Sequence, residues 1–323
     1  MKYSNWEQIF ESFKNKKVLI VGDAMIDAYM WGKINRLSPE APIPIVDIVK
    51  HEKRLGGAAN VATNIKALGA FPILCSVIGQ DDKGFFELMK KEGLTIYGIL
   101  QENRKTTIKT RIISEDKHQL RVDEEDTFLL EKEDEFIKNT QNLMKDTNIV
   151  IFQDYNKGIL SKNVIEKLLI YAKKQNILTL VDPKKENYWN YKNVDLFKPN
   201  LKELNQSSEN KIDHIDLKNL SEKVSFQRHK LNAKNLLVTL SEKGVFIQNQ
   251  HQNLLFPAFK RNIVDVSGAG DAVISTAALA LASGLDIDKI ALLANLAGGM
   301  ACEKVGVNPL NSKQLLKEAN RLI

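Results

Sequence analysis

The segment DVSGAGDAVIS, residues 265–275, places Asp271 directly after three residues with almost no side chain, Gly268, Ala269 and Gly270. The apolar run that follows is typical of a buried helix, whose first amides have no partners within the helix. With the helix dipole, these amides favour a transferring phosphoryl group at this turn. A carboxylate there suits a general base that takes a proton from an attacking hydroxyl. The spacing is equally consistent with Asp271 acting only as a helix cap.

Two other kinds of phosphate-binding motif are missing from the sequence. No G-x-x-x-x-G-K-[ST] segment occurs, and residues 268–270 are followed by Asp-Ala-Val instead of the third glycine of a dinucleotide fingerprint. The sequence therefore favours neither a Walker-type ATPase nor a Rossmann dehydrogenase.

The segment KPNLKE, residues 198–203, places Asn200 and Glu203 three residues apart, so that they share one face of a helix. Such a pair could hold Mg²⁺ through water, because Mg²⁺ takes few protein carboxylates and completes its shell with phosphate oxygens and water. The same pair also has the spacing of a capping box. The two roles are compatible, and the spacing leaves both open.

Two further segments are expected to lie where ligands bind in open α/β sheets, at the carboxyl ends of strands. In LGGAAN, residues 55–60, the side chain of Asn60 can both donate to and accept from a sugar hydroxyl. In GDAMID, residues 22–27, Asp23 ends a predicted buried strand and Asp27 lies just beyond it. A plain turn before a helix, and turn aspartates, are the alternative interpretations.

Hydrophobic periodicity predicts alternating strands and helices, hence an α/β protein whose mostly parallel sheet has helices on both faces. The predicted strands are 16–23, 72–79, 148–153, 177–181, 194–198 and 236–240, and the predicted helices are 57–68, 82–92, 161–175 and 214–231. A shorter first helix is expected to start with a capping box from Ser4 to Glu7. Residues 41–50 predict an edge strand, and residues 105–123 predict a hairpin that turns near Glu115 and Asp116.

Composition excludes several classes of protein. The 323 residues are 43% hydrophobic and 27% charged, with a net charge of +6 and no dense basic tract, which favours anionic small molecules over nucleic acid. The only cysteines are Cys75 and Cys302, so a reducing cytoplasm is expected. No signal-peptide pattern or membrane-length apolar run occurs, and no membrane association is expected.

Together, GDAMID, GGAAN, KPNLKE and DVSGAGD resemble, in this order, the motifs of the ribokinase-like (pfkB) carbohydrate kinases. The resemblance covers essentially the whole chain. It implies an α/β sandwich with a small β-sheet lid, here expected at about 28–50 and 100–123 within one kinase domain, 1–323. It also implies transfer of phosphate from ATP, with Mg²⁺, to a sugar hydroxyl.

The resemblance assigns roles to individual residues. It implies that Asp271 is the base, that the amides of 268–270 form the anion hole, and that Asn200 and Glu203 serve Mg²⁺ and phosphate. The implied sugar-binding residues are Asp27, Gly56, Gly57 and Asn60. The segment VTLSEKGV, 238–245, resembles the one beside the adenine and ribose of ATP and contains Thr239, Ser241 and Gly244. Asp265 matches a loop that binds a monovalent cation, such as K⁺, in many members.

Three stretches, residues 35–46, 106–123 and 153–160, resemble the heptose-7-phosphate kinase branch of this family. This implies phosphorylation of C1 of D-glycero-D-manno-heptose 7-phosphate, on the route to ADP-heptose and lipopolysaccharide, with Asp154 at the substrate. No H-x-G-H motif of a fused nucleotidyltransferase occurs, so a kinase alone is expected. The alternatives are a kinase for another sugar or a nucleoside, and a non-catalytic sensor on the same scaffold.

In TTIKTRIIS, residues 106–114, Lys109 and Arg111 project from the same strand face because side chains two apart point the same way. Two adjacent cations repel unless an anion joins them, so they are expected to clamp the distal phosphate of the substrate. Arg121 on the returning strand is expected to help, and Arg36 is a weaker candidate. A solvated lid surface is the alternative. An exposed lid sheet also predicts pairing into a homodimer.

Overall fold

The computed structural model describes residues 3–115, 117–208, 211–212 and 215–323. The strands, in chain order, are β1 (Lys17–Gly22), β2 (Ala24–Leu37), β3 (Pro44–Gly57), β4 (Phe71–Gly79), β5 (Ile99–Glu102), β6 (Ile108–Ser114), β7 (Lys117–Glu124), β8 (Ile149–Gln153), β9 (Leu178–Asp182), β10 (Leu196–Phe197), β11 (Asn235–Thr239), β12 (Val245–Gln248) and β13 (Asn253–Phe256). The helices are α1 (Trp6–Phe13), α2 (Ala58–Ala67), α3 (Phe85–Lys91), α4 (Glu133–Met144), α5 (Lys162–Lys174), α6 (Leu201–Gln206), α7 (Leu217–Leu231), α8 (Ala269–Ala282), α9 (Ile287–Ala301) and α10 (Ser312–Leu322).

A large, mostly parallel sheet has the strand order β13-β12-β11-β10-β9-β8-β1-β4-β5, and only β12 and β13 run antiparallel to their neighbours. Its central strands are buried on both faces. Along β1, Val18 and Ile20 join the core formed with α1, α2, α8, α9 and α10, while Leu19 and Val21 join the core formed with α4, α5 and α7. The predicted α/β class with helices on both faces is confirmed.

A small sheet of order β3-β2-β6-β7 stands beside the large one. It contains the predicted edge strand and hairpin, but its bounds differ from the predicted lid. Strand β2 starts at Ala24, β3 extends to Gly57, and the predicted lid residues 100–102 belong to β5, which pairs with β4 in the large sheet. Residue 116 of the predicted hairpin turn lies outside the described residues.

The predicted start of the first helix is wrong by one residue. Asn5, and not Ser4, is the N-cap of α1, because its side chain accepts from the amide of Gln8 while the Gln8 side chain accepts from the amide of Ser4. Residue 214, the predicted start of α7, is outside the described part of the chain. No helix within that part is long and apolar enough to cross a membrane.

Candidate active site

The carboxylate of Asp271 lies at the centre of the site, in the first turn of α8, and is only 3% exposed. Its Oδ2 accepts from Nδ2 of Asn60 at 2.7 Å. Its Oδ1 accepts from Nε2 of Gln153 at 3.1 Å and from the hydroxyl of Tyr155 at 2.8 Å. The N-cap of α8 is Gly268, and α8 has no side-chain cap. Asp271 therefore faces other elements and does not cap its own helix.

The surroundings of Asp271 hold it near the midpoint of its titration at neutral pH. Burial raises its pKa to about 7, and the nearby charges of Asp182 and Asp27 act in the same direction. Hydrogen bonds from Asn60 and Tyr155 oppose the rise. A carboxylate with such a pKa is both ionised in part and basic enough to accept a proton from a hydroxyl.

The turn before α8 is bordered by a buried ion pair that the sequence motifs did not assign. A Cβ placed on Gly270 would lie 3.8 Å from Oδ2 of Asp182 and 3.8 Å from Nζ of Lys198, and these two atoms are 3.0 Å apart. The amide of Ala269 donates to the carbonyl of Val266 at 3.3 Å. The ammonium group of Lys198 therefore lies beside the turn that the sequence predicts as an anion hole, but the Asp182 carboxylate is equally close and one amide of the turn is already bonded.

Asn200 and Glu203 form the capping box that the sequence left as an alternative. The Asn200 side chain accepts from the Glu203 amide at 2.8 Å, and the Glu203 carboxylate accepts from the Asn200 amide at 2.9 Å. The other oxygen of Glu203 pairs with Nζ of Lys184 at 2.6 Å. Both carboxylate oxygens are thus engaged, a donor set that suits a hydrated Mg²⁺ held through water more than direct ligation.

On the other side of Asp271, the small sheet brings Asp27 to the start of α2. Asp27 pairs with Arg111, which lies diagonally across from it on β6, two residues beyond its register partner Lys109. Burial still raises the pKa of Asp27 against the effect of that guanidinium. A Cβ on Gly56 would lie 2.1 Å from Oδ2 of Asp27, so only glycine permits this approach. Gly57 is the N-cap of α2, and Asn60 lies in its first turn. The predicted sugar-binding residues are therefore brought together around Asp271.

The predicted phosphate clamp is brought together only in part. Lys109 pairs with Asp123 at 2.9 Å and with Glu125 at 3.0 Å, and Arg121 pairs with Asp123 at 2.9 Å. Carboxylates of the chain therefore already join these cations, and binding of a distal phosphate by them stays a prediction. Arg36 does not join them: it lies nine residues beyond Asp27 along β2, roughly 30 Å at the rise of a strand.

Asp154 was predicted at the substrate, but its carboxylate is fully buried and holds the loop after β8. It accepts from the hydroxyl of Tyr191 at 2.8 Å, from Nδ2 of Asn187 at 3.1 Å and from the amide of Asn156 at 2.8 Å. Asp23 holds the same loop through the amide of Tyr155 at 2.7 Å. These two aspartates therefore fix the conformation of the loop that carries Tyr155.

The residues that are predicted to bind the nucleotide lie at the carboxyl end of β11, next to the start of α6. Thr239 ends β11 and bridges to Asn200, while Ser241 and Gly244 form the tight turn into β12, with a hydrogen bond of 3.0 Å between the Gly244 amide and the Ser241 carbonyl. This turn and the capping box are therefore neighbours.

The side chain of Asp265 holds the loop before α8 in place through hydrogen bonds. It accepts from the amide and hydroxyl of Ser267 at 3.0 and 2.9 Å and from the amide of Gly306 at 2.7 Å, and His118 lies 3.4 Å away. Burial opposes ionisation of Asp265, but these hydrogen bonds hold its pKa below the usual value. Within the described residues, no group of three or more His, Cys, Asp or Glu side chains could hold a metal ion.

Sequence reasoning missed four residues that touch the site: Gln153, Tyr155, Lys184 and Lys198. Lys198 begins the segment KPNLKE, residues 198–203, and Tyr155 lies in the stretch 153–160, so both belong to predicted motifs but had no predicted role. Their signal was their place at the end of a predicted parallel strand or within two residues of it, where side chains reach the ligand edge of the sheet.

The model of the pfkB family of carbohydrate kinases matches residues 15–314. The chain is 38% identical over 297 residues to the bifunctional protein HldE of Campylobacter jejuni subsp. doylei, covering 92% of this chain and 63% of that protein. It is 39% identical over 306 residues to HldE of Sulfurimonas denitrificans, covering 93% and 63%. The chain thus spans less than two thirds of these relatives.

Solved structures share the fold at low sequence identity. Phosphofructokinase-2 from Escherichia coli superposes with a TM-score of 0.79 at 17% identity, covering 95% of this chain and 98% of that one. Ribokinase from Thermotoga maritima superposes with a TM-score of 0.68 at 20% identity, covering 94% and 99%. The chain therefore has the ribokinase-like fold and belongs to the pfkB family of carbohydrate kinases, which phosphorylate sugars with ATP.

Proposed function

We propose that this kinase transfers the γ-phosphoryl group of ATP to the C1 hydroxyl of D-glycero-D-manno-heptose 7-phosphate, as a step towards ADP-heptose for lipopolysaccharide. The observation that carries the transfer is the buried Asp271 carboxylate, at the start of α8 and bonded to Asn60. The heptose assignment is supported by the three stretches that resemble the heptose-7-phosphate kinases and by the cationic face of the small sheet.

In this reaction the sugar hydroxyl loses its proton to Asp271. A bond forms between that hydroxyl oxygen and the γ-phosphorus, and the bond from the γ-phosphorus to the bridging oxygen breaks, so that ADP leaves. The transition state is loose and its charge is spread over the phosphoryl oxygens. The amides of Gly268 and Gly270, the α8 dipole and the ammonium group of Lys198 would stabilise that charge, and the Ala269 amide would join them only by leaving the Val266 carbonyl.

Asn200 and Glu203 would hold hydrated Mg²⁺, which supplies charge neutralisation at the ATP phosphates. Lys184 pairs with Glu203 and lies next to them. Thr239, Ser241 and Gly244 would border the adenine and ribose of ATP. The hydrogen-bonded loop at Asp265 would accept K⁺ through its backbone carbonyls and carboxylate.

The small sheet would close over the sugar as a lid that excludes water, which otherwise competes as phosphoryl acceptor. Lys109, Arg111 and Arg121 would bind the 7-phosphate on its inner face. Lys109 and Arg121 already pair with Asp123, and Arg111 already pairs with Asp27, so the phosphate would exchange with these carboxylates or join them, not fill an unpaired site. This arrangement keeps the cationic face ordered before the substrate binds.

The opposite face of the small sheet supports a homodimer. Met30 lies opposite Ile112, and Ile112 lies opposite Leu120, so alternation along the strands places these apolar side chains together on the face away from Asp27. Leu120 is 57% exposed and Val122 is 46% exposed. A second copy of the chain would cover this apolar face.

The Asp271→Asn variant tests the base. General base catalysis contributes ~10²–10⁴-fold, so kcat should fall at least about 100-fold while calorimetry still shows ATP binding. In the unchanged enzyme, kcat/KM should fall as the pH drops through about 7, because the raised pKa leaves Asp271 protonated below that value. Asp288→Asn, in the first turn of α9, is the control for a general effect on helix starts. Near-normal turnover of Asp271→Asn would remove Asp271 from the role.

The Glu203→Gln variant tests the metal. Its amide oxygen can still accept from the Asn200 amide, so the capping box survives while the negative charge is lost. We expect a higher Mg²⁺ requirement in ADP-release assays, partly rescued by excess metal. Glu203→Ala should in addition lower the free energy of unfolding by about 1 kcal/mol through loss of the cap. An unchanged Mg²⁺ titration for Glu203→Gln would restrict the residue to capping.

The Leu120→Asp variant tests the dimer. A charge in the centre of the apolar face should shift the protein from dimer to monomer in light-scattering chromatography. Ile170→Asp, on α5 and 56% exposed, is the matched control and should leave the mass unchanged. A monomeric unchanged protein at micromolar concentration would contradict the proposed pairing.

Release of ADP over a panel of sugars and sugar phosphates tests the substrate. We expect heptose 7-phosphate to be preferred over free heptose, fructose, ribose and nucleosides, whereas a sensor would release no ADP with any of them. The Arg111→Ala variant should raise the KM for heptose 7-phosphate roughly 10–150-fold, the value of a charge-assisted hydrogen bond of about 1.5–3 kcal/mol, with little change in the KM for ATP.

Arg111 also holds Asp27, so the same assay with free heptose serves as the control. A clamp lowers kcat/KM only for the phosphorylated sugar, whereas misplacement of Asp27 lowers it for both. Arg121→Ala, at an exposed position, should have the smaller effect. Equal kcat/KM of the unchanged enzyme for the two sugars would rule out both the clamp and the heptose-phosphate assignment.

A further inference from the structure

Tyr155 touches the proposed base, although neither the motifs nor the family resemblance gives it a role. It lies in the loop after β8, and its hydroxyl donates to Oδ1 of Asp271 at 2.8 Å. We propose that Tyr155 is a positioning residue, which stays bonded to Oδ1 during turnover and directs the sugar hydroxyl to Oδ2. This inference rests on the proposed function, because it concerns how the same carboxylate receives the proton.

The hydrogen bonds of the carboxylate indicate which oxygen takes the proton. An ionised carboxylate offers about four lone-pair sites, two on each oxygen. Oδ1 already accepts from Tyr155 and from Gln153, whereas Oδ2 accepts from Asn60. Among the donors in the described part of the chain, this leaves one lone pair of Oδ2 for a hydroxyl from the substrate.

The phenol of Tyr155 is held in place independently of the substrate. The Tyr155 amide donates to Oδ2 of Asp23 at 2.7 Å, and the Lys157 amide donates to the same oxygen at 3.2 Å. The Lys184 ammonium lies 5.2 Å from the centre of the Tyr155 ring. Burial and the charge of Asp271 hold the pKa of Tyr155 well above its usual value, so the hydroxyl remains a donor at any working pH. The bond therefore does not depend on closure of the small sheet.

The effect of this bond follows from the charges that face Asp271. Asp182 on β9 and Asp27 on β2 both disfavour its ionised form, and their own counter-charges are Lys198 and Arg111. A phenol that donates to Oδ1 stabilises the carboxylate over the neutral acid. Removing this hydroxyl should therefore raise the pH at which Asp271 becomes a base, without removing the base itself.

Tyr155→Phe keeps the ring and removes the donor, and the measurement is kcat/KM against pH. We expect the acid limb to move to higher pH by on the order of one unit, the size of one charge-assisted hydrogen bond. Near pH 9 the variant should recover to within a few-fold of the unchanged enzyme. Tyr188→Phe is the matched control, because it removes another buried phenol that bonds Gln227 and not Asp271, and its acid limb should not move.

Gln153→Met removes the other donor to Oδ1 and serves as a second variant if Tyr155→Phe does not fold. Its acid limb should move in the same direction. An unchanged limb in a folded Tyr155→Phe variant would overturn the inference. So would a lower KM for the sugar with the limb unchanged, because the hydroxyl would then only occupy the sugar's place. Failure of the base assignment itself is distinguishable, since Asp271→Asn would then keep its turnover whatever Tyr155 does.

Discussion

The Asp271 carboxylate is buried where α8 begins, and its charge is compatible with burial only because α2, β8 and the loop after β8 each supply a donor to it. An ionised group that loses water without such donors would take up a proton at any working pH. The placement of Asn60, Gln153 and Tyr155 therefore follows from one requirement, which is a buried carboxylate kept partly ionised. The relative positions of the surrounding elements depend on it.

The same requirement explains the density of buried charge around this carboxylate. Asp27 and Asp182 would each favour protonation of Asp271, and each is joined to its own cation, Arg111 and Lys198. Removing one partner from such a pair leaves an uncompensated buried charge, which is strongly destabilising. The pairs thus bring two carboxylates to the ligand edge of the sheet, each with a cation next to it.

The sequence was sufficient to predict the elements whose pattern is local. Periodicity located six of the nine strands of the large sheet but not β5, β12 or β13. The bare turn at 268–270 located the start of α8 with Asp271 on it. The box at Asn200 and Glu203 was readable because its two partners are three residues apart. Ser4 was preferred to Asn5 because both carry a side chain suited to an N-cap and the spacing alone does not separate them.

The rest depends on contacts between distant segments, which no local pattern encodes. Tyr155 is 116 positions from Asp271 along the chain, and the two meet because β8 ends and α8 begins at the same edge of the sheet. Asp154 was placed at the substrate because of its neighbours in the sequence, yet its side chain points into the core, where it holds the loop that carries Tyr155. Two residues that are adjacent at the end of a strand can thus have different roles, one contacting the base and the other holding the loop in place. Successive side chains beyond β8 point in opposite directions. For this reason, Asp154 supports the loop while Tyr155, the next residue, touches the Asp271 carboxylate.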